Sequence, residues 1–158
     1  MLEIDFERFH NQEYRKKGFT LYVMKNGAGD TLYVGISSRG IWDRWFGWNG
    51  HIVWEGKSIY GNSPVGQKIV DHLPDSLKWK IQLWTDEDCV RFCKNALPPN
   101  KAFHTANYLE PFIIQRLSPI LNEIHNLHPG KDTTSKSERE IMREKELDEV
   151  YKRVFEKK

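Results

Sequence analysis

Apolar positions fall at two periods along the chain, every second residue and every third or fourth, and the switches between them mark the elements. Thr20-Leu21-Tyr22-Val23-Met24 and Thr31-Leu32-Tyr33-Val34-Gly35-Ile36 are rich in strand formers. Asn26-Gly27-Ala28-Gly29-Asp30 between them is a strong turn signal, so the pair predicts a β-hairpin. Ser37 and Ser38 offer an N-cap for a helix over Ile41 to Phe46. Gly47 to Asn62, with glycines at 47, 50, 56 and 61, reads as loop. Ser63 is the next N-cap candidate. Pro64 suits the first turn of a helix to Leu73, with Val65, Ile69, Val70 and Leu73 at helical spacing. Alternation at Lys78 to Trp84 predicts a third strand. Thr85 or Asp86 caps a helix from Glu87 to Ala96, which Leu97-Pro98-Pro99-Asn100 breaks. A further helix runs from Thr105 to Leu117. Pro111 inside it lacks a donor, which places its start near Leu109 unless the proline is accommodated. Ser118-Pro119 stops that helix, and Ile120-Leu121-Asn122 is extended.

The ends of the chain read differently. Asp5 to Lys17 has a short helical pattern, so residues 1–17 are expected to form an N-terminal helical extension to a main domain over 18–126. Residues 127–158 read as a linker and a charged C-terminal helix. Ile141, Leu147, Val150, Tyr151 and Val154 give that helix one apolar face. Packing of this face on its own domain is expected. Pairing with a second copy (a homo-oligomer) or with a protein partner is the alternative, since Leu147, Val150 and Val154 follow a/d-like spacing.

Composition bounds the class more than the function. The chain has 158 residues, 39% hydrophobic and 29% charged, which fits one soluble globular domain. It contains no apolar run of about 18 residues, and Met1 to Gly18 lacks the apolar core of a signal peptide. No membrane partner is expected. Cys89 and Cys93, four apart on a predicted helix, would need two further ligands to hold zinc, and no second pair exists. Reduced thiols and a cytoplasmic location follow as the expectation. A net charge of +2 and a pI near 8.5 are too weakly basic to argue nucleic-acid binding alone. Four of the six tryptophans fall between Trp42 and Trp54, more than one short segment buries easily, so one or two are expected to face a partner.

Several side chains carry candidate chemistry. Tyr22 and Tyr33 sit on the two hairpin strands, where neighbouring phenols can hydrogen-bond a water and a phosphate oxygen. Arg44 follows on the next helix, and its planar fork matches phosphate geometry. Glu110 lies among Leu109, Phe112, Ile113 and Ile114, where a carboxylate needs a cation or hydrogen bonds. Asn122, after an apolar pair, suits satisfaction of nearby backbone groups. His51, in the tryptophan-rich loop, has a side chain that can titrate near neutral pH, and a lone loop histidine is expected to be exposed.

The order of these motifs is more specific than any one of them. Thr20-Leu21-Tyr22, Tyr33-Val34-Gly35, Asp43-Arg44-Trp45, Leu109-Glu110-Pro111-Phe112 and Pro119-Ile120-Leu121-Asn122, between Gly18 and about Ile124, resemble the GIY-YIG endonuclease superfamily. The resemblance implies an α/β (α+β) fold, a small three-stranded antiparallel sheet flanked by helices. It also implies metal-dependent hydrolysis of phosphodiester bonds in DNA. By it, Tyr22 matches the first motif tyrosine and general base, Tyr33 the second tyrosine, and Arg44 the helix arginine. Glu110 matches the glutamate that holds Mg2+ or Mn2+, and Asn122 the terminal asparagine. Thr20 stands where glycine is usual. Trp48 stands where many members carry a histidine, leaving His51 as the nearest candidate for that role. These departures support an alternative, a catalytically inactive nucleic-acid-binding module on the same fold.

Overall fold

The computed structural model describes residues 1–16, 18–56, 58–94, 98–99, 104–130 and 138–155. Its centre is the predicted hairpin. Strand β2 (Leu21–Lys25) pairs antiparallel with β3 (Thr31–Ile36), Tyr22 opposite Gly35 and Met24 opposite Tyr33. The turn closes as its residues dictate: Asn26 Oδ1 accepts from the N–H groups of Ala28 and Asp30, and Gly29 takes φ +88°.

On its other side β2 pairs with β6 (Lys80–Trp84), the third predicted strand. The sheet does not end there. Strand β1 (Leu2–Asp5) pairs antiparallel with β6, giving the order β1-β6-β2-β3, four strands rather than three. The N-terminal segment is thus part of the main sheet and not a helical extension. Its helical content is a single turn, α1 (Phe6–Phe9), and a 3-10 turn over Gln12–Tyr14. Phe6 and Phe9 are buried in the core, which ties the segment down.

Because β2 is central, both of its faces are covered. Tyr22 and Met24 face one core, with Phe6, Ile41, Trp45, Ile52, Val65 and Ile69. Leu21 and Val23 face a second, with Val34, Trp84, Cys89, Leu109 and Ile113. Each such buried side chain contributes roughly 1.5–3 kcal/mol. The first core is roofed by α2 (Ile41–Phe46) and α3 (Pro64–Asp71), the second by α4 (Asp86–Phe92) and α5 (Thr105–Leu117). The result is a mixed α/β fold, an antiparallel sheet flanked by helices.

Two of the three expected caps form; α2 instead has Gly40 at its N-cap with no side-chain bond, and Ser37 Oγ donates to the Gly40 carbonyl at 3.0 Å. Ser63 Oγ accepts from Gly66 N–H at the start of α3, with Pro64 in the first turn. Thr85 and Asp88 form a capping box on α4. Helix α4 ends at Phe92 with Cys93 as its C-cap, short of the expected end at Ala96, which itself lies outside the described residues. Helix α5 runs through Pro111 from Thr105. The carbonyl that the proline leaves without its helical partner belongs to Asn107, which is exposed to water.

The segment read as loop contains a second sheet. Strands β4 (Ile52–Glu55) and β5 (Ser58–Gly61) pair antiparallel around Gly56, whose φ is +58°. Cys89 and Cys93 are free thiols. Burial pushes the Cys89 thiol up to about 12. Helix α6 (Glu138–Phe155) meets α3 through charged groups near its start: Glu140 with Lys68 at 2.8 Å and Arg143 with Asp71 at 3.5 Å. Its Leu147, Val150 and Val154 are exposed, so the expected packing of this face on its own domain does not occur. Among the described residues no helix is long and apolar enough to cross a membrane.

Candidate active site

A cleft of about 640 Å³ opens along β3, between α2 and α5. Tyr22, Tyr33, Arg44, Glu110 and Asn122 all line it. Five of the six sequence-predicted residues, from β2, β3, α2, α5 and the segment after α5, therefore converge. The sixth, His51, lies directly behind Tyr22 and is buried, not exposed as expected of a lone loop histidine.

The sheet places the phenols. Tyr22 and Tyr33 are diagonal neighbours on one face, with ring centroids 6.1 Å apart. Gly35, opposite Tyr22, has no side chain, and the Tyr22 ring lies over it. A Cβ at Gly35 would fall 2.8 Å from Tyr22 Cε1 and closer still to the hydroxyl end. Trp45 closes the pocket edge-on, 5.5 Å from the Tyr22 ring.

His51 reaches Tyr22 because α2 ends in a tight turn. His51 N–H donates to the Arg44 carbonyl at 3.1 Å, and Asn62 N–H donates to the His51 carbonyl at 2.8 Å. The imidazole then bridges two hydroxyls. Its Nε2 lies 2.6 Å from Tyr22 Oη, and its Nδ1 lies 2.7 Å from Ser63 Oγ. Gly66 makes this approach feasible, since a Cβ there would strike the His51 carbonyl. The role of Ser63 as a histidine partner and that of Gly35 as a vacancy were missed in the sequence. Ser63 showed only its cap signal, and Gly35 only its place beside Tyr33 and Val34.

The electrostatics set the protonation states. Burial lowers His51 to about 3, with Arg44 and Arg39 adding to the effect, so the ring is neutral at physiological pH. Burial raises the Tyr22 phenol well above its usual value; Tyr33 and Glu110 add to this and Arg44 opposes it. Tyr33 is raised by burial too, with Glu110 adding and Arg44 opposing. The Glu110 carboxyl is raised by burial.

Glu110 Oε2 is buried without a hydrogen-bond partner. A buried carboxylate oxygen left unpaired is costly, and one facing a cleft fits a hard divalent cation that takes most of its ligands from water and phosphate. Among the described residues no group of three or more His, Cys, Asp or Glu side chains is placed to cage an ion. The Arg44 guanidinium makes one long hydrogen bond, 3.4 Å to the Asn49 carbonyl, while its neighbour Asp43 is paired with Arg15. Its fork is thus available to an anion.

Asn122 uses both ends of its amide on one backbone unit. Oδ1 accepts from Val34 N–H at 2.9 Å, and Nδ2 donates to the Val34 carbonyl at 2.8 Å. With Ile120 and Leu121 bonding the carbonyls of Thr31 and Leu32, it fixes the outer edge of β3. It shapes the cleft wall, and one N–H and one lone pair of its amide remain beyond this pairing.

A second cavity of about 460 Å³ lies between the turn before α2 and the start of α5, sharing Ile36 with the cleft. Thr20 and Asp86 on its wall already bond each other at 2.7 Å. Arg39, Asp86 and His104 also line it, but the groups with raised pKa, Tyr22, Tyr33 and Glu110, line the first cleft.

The chain matches no known protein-family profile and no solved structure. Over 68 residues it is 32% identical to a naringenin 7-O-methyltransferase of Oryza sativa subsp. japonica. That stretch is 39% of this chain and only 18% of the rice protein.

Proposed function

We propose that this chain is a metal-dependent endonuclease of the GIY-YIG type that hydrolyses phosphodiester bonds in DNA. The observation that carries the reading is the single cleft into which Tyr22, Tyr33, Arg44 and Glu110 converge from four separate elements.

Glu110 is the residue to hold Mg2+ or Mn2+. Bound there, the ion would supply Lewis-acid charge to phosphodiester hydrolysis. Arg44 binds the non-bridging oxygens as charge builds in the transition state. Tyr33 orients the attacking water or the phosphate. Tyr22 is the general base, hydrogen-bonded to His51, and Arg44 opposes the burial that holds its proton. Trp48, in the turn after α2, is 83% exposed and offers a ring on which a nucleobase can stack.

Supercoiled-plasmid nicking tests the reading. The chain should nick with magnesium or manganese and stop with EDTA, and Glu110→Gln should abolish nicking while leaving DNA binding within a few fold. Parental cleavage by Glu110→Gln in magnesium would end the proposal. One observation favours the second reading, a binding module without activity: the Tyr22 phenol is raised well above its usual value, which opposes a base. Metal-independent DNA binding with no nicking under any divalent ion is its signature.

A further inference from the structure

Three hydrogen bonds link the start of α3 to the hydroxyl of Tyr22, and their donors can be counted. Gly66 N–H can only donate, and it donates to Ser63 Oγ at 3.1 Å. Ser63 Oγ also lies 2.7 Å from His51 Nδ1, and His51 Nε2 lies 2.6 Å from Tyr22 Oη. The imidazole is 2% exposed and neutral, so it carries one proton, on Nδ1 or on Nε2.

Suppose the proton is on Nδ1. Ser63 Oγ then accepts twice, from Gly66 and from His51, and its own hydrogen has no protein acceptor among the described residues. With the proton on Nε2, Ser63 O–H donates to Nδ1 and Nε2–H donates to Tyr22 Oη, and the hydroxyl hydrogen left over is that of Tyr22, which lines the cleft. All donors then point the same way, from the positive end of α3 toward the phenol, an arrangement in which successive hydrogen bonds strengthen one another.

We propose that Ser63 is a positioning residue: it fixes His51 as the Nε2–H tautomer, so that Tyr22 Oη receives a hydrogen bond from behind and turns its own O–H into the cleft. A Tyr22 proton facing the cleft can leave to solvent there, and the Nε2–H bond then stabilises the phenolate that takes the water's proton, whereas a proton spent on His51 would point away from the substrate. The charged and titratable groups facing this pair are Tyr33 from β3, Arg44 from α2, Glu110 from α5 and, toward His51, Arg39. The catalytic consequence rests on the nuclease reading; the proton arrangement does not.

Nitrogen-15 NMR of the histidine-labelled full chain decides the tautomer directly. The expected signal is a protonated His51 Nε2 and a bare Nδ1 throughout the neutral range. Ser63→Thr keeps a hydroxyl donor and should keep both this tautomer and the parental nicking rate. Ser63→Asp keeps the helix cap, but a carboxylate only accepts, so it should move the proton to Nδ1. It should also lower kcat roughly 10- to 100-fold, as loss of an orienting partner does at other histidine sites, with KM and melting temperature little changed. A parental His51 protonated on Nδ1, or a Ser63→Asp chain whose tautomer is unchanged, overturns the proposal. A flipped tautomer with an unchanged kcat overturns its catalytic part. If the parent chain cuts no DNA, the nuclease reading fails on its own, while the NMR result still decides the hydrogen-bond chain.

Discussion

Replacing Gly35 by alanine isolates the steric logic of the tyrosine pocket. The new Cβ would sit 2.8 Å from Tyr22 Cε1 and nearer still to Cζ and Oη, against an optimum of roughly 3.5–4.0 Å between carbons. Gly35 is not among the glycines of positive φ, so the backbone itself is unstrained by the change. Alanine even gains roughly 0.4–1 kcal/mol by restricting the unfolded chain. The ring has nowhere to retreat, with Trp45 edge-on at 5.5 Å and the phenol held to His51 at 2.6 Å. Overpacking costs about 1–3 kcal/mol, and a broken hydrogen bond about 0.5–1.5 kcal/mol more. A net loss of roughly 1–4 kcal/mol follows. In a Tyr22→Ala background both costs vanish, and the same substitution becomes neutral or mildly stabilising. Urea denaturation of the four proteins of this cycle, at constant m-value, reads the coupling. If Gly35→Ala and Tyr22→Ala add to within about 0.5 kcal/mol, the reasoning about the vacancy is refuted.

Three further outcomes are expected. The unfolded chain protonates His51 near its ordinary 6.5, and the folded chain only near 3. Stability should therefore fall as pH drops through that window, by up to about 1.4 kcal/mol per pH unit. His51→Gln should flatten this limb in urea midpoints taken across pH, and an unchanged limb would contradict the assignment. Arg44→Ala should lower nicking kcat by about 10²–10³ with a parental melting temperature, because among the described residues its guanidinium makes only the long bond to Asn49. Trp48→Ala should weaken DNA binding by the worth of one stacked base, about 1–3 kcal/mol, in fluorescence anisotropy. The fold should be indifferent, since the indole is 83% exposed.

Local signals were legible in the sequence, and pairings between distant segments were not. The Asn26–Asp30 turn, the Ser63 and Thr85 caps and the Ile41–Phe46 helix each depend on residues a few positions apart, and all form where the chain suggests. Strand β1 was lost because it has four residues and its partner is β6, Leu2 facing Leu83. Strands β4 and β5 hid behind four glycines, which signal turns more loudly than Ile52, Val53 and Ile59 signal strands. In the site, the tyrosines, Arg44 and Glu110 could be named from motif order, and the cleft brings them together. His51 was named with no known partner. Its bond to Tyr22 spans 29 positions, and no periodicity encodes it. Ser63 was explained too soon, since one visible role concealed a second.

Asn122 seals β3 from 88 residues downstream. During synthesis the hairpin leaves the ribosome long before the stretch that covers its outer edge. Until then that edge offers unpaired peptide groups to any other nascent strand. The side-chain amide acts as a borrowed peptide unit that completes the ladder late. Completion of the outer edge of the Tyr33 strand therefore waits for Ile120, Leu121 and Asn122.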